Sequence, residues 1–277
     1  MRIAAIDFLN AAPLMWGLGA DARFTLDYTL PSACADALRQ GDADLGVIPV
    51  IELARREGRI SLTALAGMGV ASSAAAPSEV RSILLVSRGP VEQARSVSLD
   101  AASRTSAALA QILLRHRFAA KAQFVVGDSD WRAALARHDA ALIIGDPALR
   151  LRISGEAERA GFEVLDLARE WHQWTGLPFV FALWGVRGEV YAANHEWLPA
   201  RLRQALDDGI AQRSAIAAAW APRLGIPEAE AHLYLSENVV HRLGPAHAAG
   251  LERFFALAAA DGLIEVSAAP AMLEVEA

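Results

Sequence analysis

Three stretches of the 277-residue chain carry side chains able to do chemistry. The first is Ile6-Asp7-Phe8-Leu9-Asn10-Ala11-Ala12-Pro13-Leu14, where one neutral amide, Asn10, stands in apolar company after a short apolar run. An amide both donates and accepts. Asn10 therefore reads either as a contact for a small ligand or as a loop residue stabilising its own turn. The second is Ser103-Arg104-Thr105-Ser106, three hydroxyls and a guanidinium where a strand-like run gives way to a helix. Free N–H groups and the positive end of the helix dipole favour a carboxylate or phosphate there. Ser103 reads equally as an ordinary N-cap, and the two readings are compatible. Arg104 is either a carboxylate clamp or a surface arginine. The third is Gly145-Asp146-Pro147, which closes an apolar run. Asp146 could accept a hydroxyl proton, hold a backbone N–H or close an Asx-type turn. Trp171, Trp174, Phe179 and Phe181 are dense enough to be core, or else an apolar wall for a ring-shaped ligand.

These side chains need elements to hold them, and the sequence alternates strand and helix signals. Apolar or alternating runs at 3–6, 24–29, 44–48, 81–87, 96–99, 123–126, 139–144 and 178–184 read as strands. Helices are expected from Pro31 to Gly41, over 50–56 and after Ser106, with Ser32 a candidate cap for the first. Residues 67–78, rich in Gly, Ala, Ser and Pro and including Ser72 and Ser73, read as a surface loop. Such a β-α-β-α rhythm favours a largely parallel sheet. Two such units are expected, with a cleft between them. The apolar strands 81–87 and 178–186 are the natural crossings, and the loop around Asn10 would open into the cleft. The C-terminal third reads as helical, with a stripe of Leu202, Leu206, Ile210, Ile216 and Trp220. A further helix is expected over 228–240, and a last one is marked by Leu251, Phe254, Phe255 and Ala258. Lacking a sheet of its own, this part is expected to pack on the first unit.

Several chemistries lack support. No GxSxG, GxxxxGK[ST] or GxGxxG occurs, so neither a hydrolase elbow nor a nucleotide loop is indicated. Seven scattered histidines form no HExxH, and the single Cys34 excludes an intrachain disulfide and a Cys-rich metal site. No metal is therefore expected. A net charge of −6 disfavours nucleic acid as the main partner, though a small anion answers to local donors instead. No run approaches the ~20 apolar residues of a membrane span, and no basic-then-apolar leader is visible, so a cytoplasmic protein is expected.

Together, these stretches resemble the chorismate dehydratase family of the futalosine route to menaquinone. The matching pieces, in order, are 8–14, Leu30-Pro31-Ser32, 41–50, 80–85, Ser103-Arg104-Thr105-Ser106 and Ile144-Gly145-Asp146. They continue with Glu170-Trp171, 175–182 and Arg242-Leu243-Gly244. Each is short, but the ordered set covers nearly the whole chain. His241 stands where the family commonly has a tyrosine. The resemblance implies an α/β, two-domain fold like the type II periplasmic binding proteins, with the ligand in the hinge cleft. The implied domains are 1–85 with 184–277, and 86–183. It also implies elimination of water from chorismate to give 3-[(1-carboxyvinyl)oxy]benzoate, without a cofactor. Asn10 would be catalytic, and Ser72, Ser103, Thr105 and Ser106 would bind carboxylates. Arg104 and Asp146 complete the implied substrate-binding set. The proton would go to Asp146 or to the substrate's own side-chain carboxylate. Two competing expectations are a solute-binding protein for a small anion and the sister enzyme that forms 1,4-dihydroxy-6-naphthoate.

Overall fold

The computed structural model describes residues 1–54, 62–127, 130–265 and 272–273. The chain first lays down β1 (Arg2–Ile6), β2 (Thr25–Thr29), β3 (Leu45–Pro49) and β4 (Leu62–Ala71). It moves to a second sheet for β5 (Ile83–Ser87), β6 (Ser96–Asp100), β7 (Gln123–Gly127), β8 (Ala140–Ile144) and β9 (Glu163–Asp166). It then returns to the first with β10 (Val180–Arg187), β11 (Val240–Arg242) and β12 (Met272–Leu273). The first sheet has the order β11-β4-β10-β3-β1-β2, with β12 also on β4, and the second has the order β7-β6-β8-β5-β9.

Each lobe is seeded by three parallel strands: β1 pairs with β2 and β3, and β6 with β7 and β8. The strand arriving from the other lobe is antiparallel: β10 lies between β3 and β4, and β5 between β8 and β9. The sheets are thus mixed and not largely parallel. The reason is directional. The parallel strands end at the border between lobes, so a strand entering across that border must run the opposite way. Pro49 at the end of β3 lies opposite Ala182 near the start of β10, and Ile144 at the end of β8 lies opposite Ile83 at the start of β5. Strands β3, β5 and β8 are buried throughout and β10 all but so, which explains their unbroken apolar sequences. The edge strands β2 and β7 stay largely exposed.

Several expectations are corrected. Strand β4 takes in residues 67–71, read as loop; register shifts in its pairing with β10 blur the alternating pattern. Strands β9 and β11 fall where no strand was read, and β11 ends the helix expected over 228–240. Val50–Ala54 is one 3-10 turn, while residues 55 and 56 of that expected helix lie outside the described residues. Since β5 and β10 each stay within one sheet, the chain crosses just before them, in 72–82 and 176–179.

The helices Leu198–Ala211 and Arg213–Leu224 put Leu202, Leu206 and Ile216 into the core of the first lobe, as expected. The last helix, Pro245–Ala260, does not join them. Its Leu251, Phe254 and Phe255 enter the cluster at the crossing, shared by Leu109 and Ile112 of the second lobe and by Val180 and Leu183 of β10, where the Phe254 ring meets Phe179 edge-on at 5.0 Å. That helix follows β11 at the crossing, and the aromatic residues of the returning segment are the apolar surface it meets there. Trp171 and Phe179 are accordingly core, whereas Phe181 reaches the cleft.

Gly209 is where the C-terminal helices seat the opening loop: a Cβ there would lie 2.1 Å from the Pro13 carbonyl oxygen. Gly209→Ala is expected to destabilise the protein by about 1–3 kcal/mol through overpacking and to lower Tm by several degrees. Gly19→Ala, with nothing within 4 Å of its Cβ, should melt like the wild type in the same calorimetric scan.

Candidate active site

The end of β1 opens into a single 3-10 turn, Leu9–Ala11, followed by the short helix Ala12–Met15 with Pro13 in its first turn. Leu9, Ala11 and Leu14 are fully buried. They pin the turn so that half-buried Asn10 lines an interlobe cleft. The backbone is held at two points. Leu9 N–H donates to Asp146 Oδ1 at 3.0 Å, and the Asn10 carbonyl accepts from His241 Nε2 at 2.7 Å. The latter bond fixes the tautomer, because a carbonyl needs the proton on Nε2. Nearby, the buried Tyr234 hydroxyl donates to Ser82 Oγ at 2.7 Å.

Opposite this turn lies the start of the helix Arg104–Ile112. Ser103 caps it: its Oγ accepts from Ser106 N–H at 3.3 Å and lies 3.0 Å from Ser106 Oγ. Ser103 and Ser106 both line the cleft. Three residues apart, they share a helix face, which turns the two residues between them elsewhere. Thr105 Oγ1 accepts from Ile51 N–H at 3.2 Å. Arg104 binds Asp36 at 2.9 Å and Glu52 at 3.2 Å, and Arg39 also pairs with Glu52. Arg104 is thus a carboxylate clamp, filled by carboxylates of the first lobe. Together with Ser32 N–H donating to the Ala102 carbonyl at 3.0 Å, these bonds hold the lobes closed.

Ser72 does not line the cleft. It is fully buried at the crossing, where its N–H donates to the Phe179 carbonyl at 2.9 Å. Its Oγ accepts from Phe179 N–H at 3.0 Å and from the Ser78 hydroxyl at 2.9 Å. Asp146 also stays behind the lining, its carboxylate holding the Asn10 turn through Leu9. The neighbouring Gly145, at φ +67°, lines the cleft, and a Cβ there would meet the Phe8 ring at 2.6 Å. Of the candidate residues named from sequence, the cleft thus gathers Asn10, Ser103, Ser106, Gly145 and Phe181. Phe8, which also lines the cleft, was not singled out as a site residue; nothing in its spacing sets it apart from a core residue. Among the described residues that line the cleft, none is an acid, a base or a histidine. Whatever binds here meets hydroxyls, an amide, backbone N–H groups and apolar walls.

A family model described as menaquinone biosynthesis matches residues 1–260. The chorismate dehydratase of Thermus thermophilus is 28% identical over 231 residues, 79% of this chain and 81% of that protein. The chorismate dehydratase of Campylobacter jejuni is 28% identical over 189 residues, 66% of each chain. Among solved structures, a protein from Archaeoglobus fulgidus superposes with a TM-score of 0.74 at 16% identity, over 95% of this chain and 98% of its own. The periplasmic aliphatic sulphonate binding protein of Escherichia coli gives 0.63 at 17% identity, over 100% and 94%. At such identities the structural likeness speaks for the fold alone, a fold shared with the periplasmic binding proteins.

Two buried groups tie the site to pH in opposite senses. Burial pushes the Asp146 carboxyl from 3.8 up to about 6; the Leu9 N–H opposes this and the charge of Asp7 adds to it. Burial pushes His241 down from 6.5 to about 4, leaving it neutral. The lowered His241 value contributes stability above its unfolded value that is lost as pH falls through about 4. The raised Asp146 value works the other way: its contribution is complete below about 4 and is lost as pH rises through about 6. Asp146→Asn keeps an oxygen for Leu9 N–H but cannot ionise. Urea unfolding should therefore show the variant gaining on wild type by roughly 2–3 kcal/mol between about pH 4 and about pH 7. A pH-independent difference would show that Asp146 ionises as freely in the folded chain as in the unfolded one.

Proposed function

The chain belongs to the menaquinone biosynthesis family, and from that premise we propose that it is a chorismate dehydratase, a hydro-lyase releasing water and 3-[(1-carboxyvinyl)oxy]benzoate. The observation that carries this reading is the pairing, across one closed cleft, of Asn10 with the Ser103 and Ser106 face of a helix start. Chorismate carries two carboxylates. The hydroxyls of Ser103 and Ser106 and the N–H groups of the helix start supply neutral donors for a carboxylate, assisted by the helix dipole. Phe8 and Phe181 give the ring an apolar wall.

The reaction removes a ring proton and the neighbouring hydroxyl, and the ring becomes aromatic. Electrons of the broken C–H bond enter the ring as the C–O bond breaks, and the departing hydroxide leaves as water with the abstracted proton. No oxidant is needed. In this reading the substrate's own side-chain carboxylate takes the proton, which is supported by the absence of an ionisable side chain among the described residues lining the cleft. Asn10 hydrogen-bonds the reacting region in the transition state, at the departing hydroxyl or at the negative charge developing on the ring. Neutral groups suit both roles, because they bind an anion without quenching the carboxylate that acts as base.

Purified protein incubated with chorismate should remove the diene absorbance and yield a product lighter by one water. Asn10→Asp should lower kcat by about 10²–10³, the usual cost of losing one preorganised donor, with an unchanged circular dichroism spectrum. Saturable chorismate binding without turnover would instead identify a binding protein, and wild-type turnover by the variant would remove Asn10 from the chemistry.

A further inference from the structure

In the dehydratase reading Asn10 acts through its side chain, and the two peptide groups that flank Asn10 set the direction in which that side chain leaves the backbone. The peptide group before it is held within the turn, where the Leu9 carbonyl accepts Ala12 N–H. The peptide group after it gives its N–H, that of Ala11, to the Phe8 carbonyl at 3.0 Å. Its other end, the Asn10 carbonyl, still needs a donor. A continuing 3-10 turn would offer the N–H of residue 13, but residue 13 is proline and has none. The helix that follows takes Ala11 as its N-cap, so its own bonds begin one carbonyl later. The donor comes from outside the turn, from His241, whose Nε2 lies 2.7 Å from the oxygen. The histidine is itself firmly mounted. It is the central residue of β11, 1% exposed, between Val240 and Arg242, which pair with Ala71 and Met68 of β4. Its Nδ1 is buried with no hydrogen-bond partner among the described residues. A proton there would be a stranded donor, so the neutral ring keeps its one proton on Nε2.

We propose that His241 is a positioning residue for the reaction: its Nε2–H, bonded to the Asn10 carbonyl, fixes the peptide group after Asn10 and thereby aims the Asn10 side chain at the cleft. His241 is not among the residues lining the cleft and touches no substrate in this scheme; it acts through Asn10. Without the tether the peptide group between Asn10 and Ala11 is free to tilt, and the amide tilts with it. A displacement of about 1 Å at a catalytic group costs up to about 100-fold in rate. The tether complements the one at the preceding residue, where Asp146 of the second lobe holds Leu9 N–H at 3.0 Å. The turn that carries Asn10 is thus held by one side chain from each lobe. This inference rests on the dehydratase reading for its kinetic arm only.

That arm compares His241→Leu, which has no donor, with His241→Gln, whose amide N–H can replace Nε2–H. His241→Leu should lower kcat by roughly 10–100-fold with KM within about threefold, the scale of a misplaced catalytic group. His241→Gln should recover most of that loss. In Asn10→Ala protein, His241→Leu should cost nothing further, because the tether works through the amide that is already gone. Wild-type kcat in His241→Leu, equal losses in the Leu and Gln variants, or losses that multiply in the double variant would overturn the proposal. A second readout needs no turnover and stands even if His241→Leu fails to fold. In wild-type protein carrying ¹⁵N-histidine, His241 should show a protonated Nε2 and a bare Nδ1, with the Nε2 proton exchanging slowly with water. A proton on Nδ1 overturns the tether. In uniformly ¹⁵N-labelled free protein the Asn10 side-chain NH2 signals, identified by their loss in Asn10→Asp, should move in His241→Leu and return in His241→Gln. Signals that stay in place overturn the positioning role. Signals that move in a protein that leaves chorismate intact overturn the dehydratase reading while the positioning role stands.

Discussion

The organisation of this protein depends on one short piece of backbone pairing at the crossing between lobes. Ser72 and Phe179 exchange two hydrogen bonds, Ser72 N–H to the Phe179 carbonyl and Phe179 N–H to Ser72 Oγ. The outgoing and returning segments are thereby held side by side. Buried amides at a crossing must be satisfied, and here each segment satisfies the other. Because the two passages lie together, both sheets present the carboxyl ends of their parallel strands to the same gap. The loops at those ends carry Asn10 and Ser103. The final helix roofs the crossing, its phenylalanines packed on the aromatic residues of the returning segment.

The cleft handles charge in an unusual way for a protein of this composition. The arginine nearest the candidate anion site, Arg104, is turned to Asp36 and Glu52 of the opposite lobe, so it closes the molecule and leaves ligand binding to neutral donors. Glu52 is almost fully buried, and a buried carboxylate is tolerable only with partners. Arg39 and Arg104 supply them from both lobes. Glu52 is thus paired both from its own lobe and from the other. A similar economy governs Asp146, whose buried carboxyl fixes the turn that carries Asn10 while standing behind the cleft lining.

Much of the local structure was legible. Apolar runs marked the strands that lie under cover on both faces, and the helical stripe at Leu202, Leu206 and Ile216 named a core face. Strand β4 was missed because bulges break its alternation, and β11 because three residues carry no period. The sequence also could not divide Ser103-Arg104-Thr105-Ser106 among its roles. Four consecutive polar residues look equivalent on paper, yet a helix points them in different directions. Two line the cleft, one accepts a backbone N–H, and one bridges lobes.

From the sequence alone came the fold class, the family and the prominence of Asn10, because these rest on short-range patterns and on motifs in a fixed order. The tertiary structure decided which groups meet. It withdrew Ser72 to the crossing, committed Arg104 to the opposite lobe and placed Asp146 behind the loop it supports. It also brought His241, 231 residues away in the chain, onto the Asn10 carbonyl. The physical reason is that a hydrogen bond depends on distance and direction in space, and neither is encoded at any one position. They arise only when two lobes close on a common hinge and every buried donor has to find an acceptor.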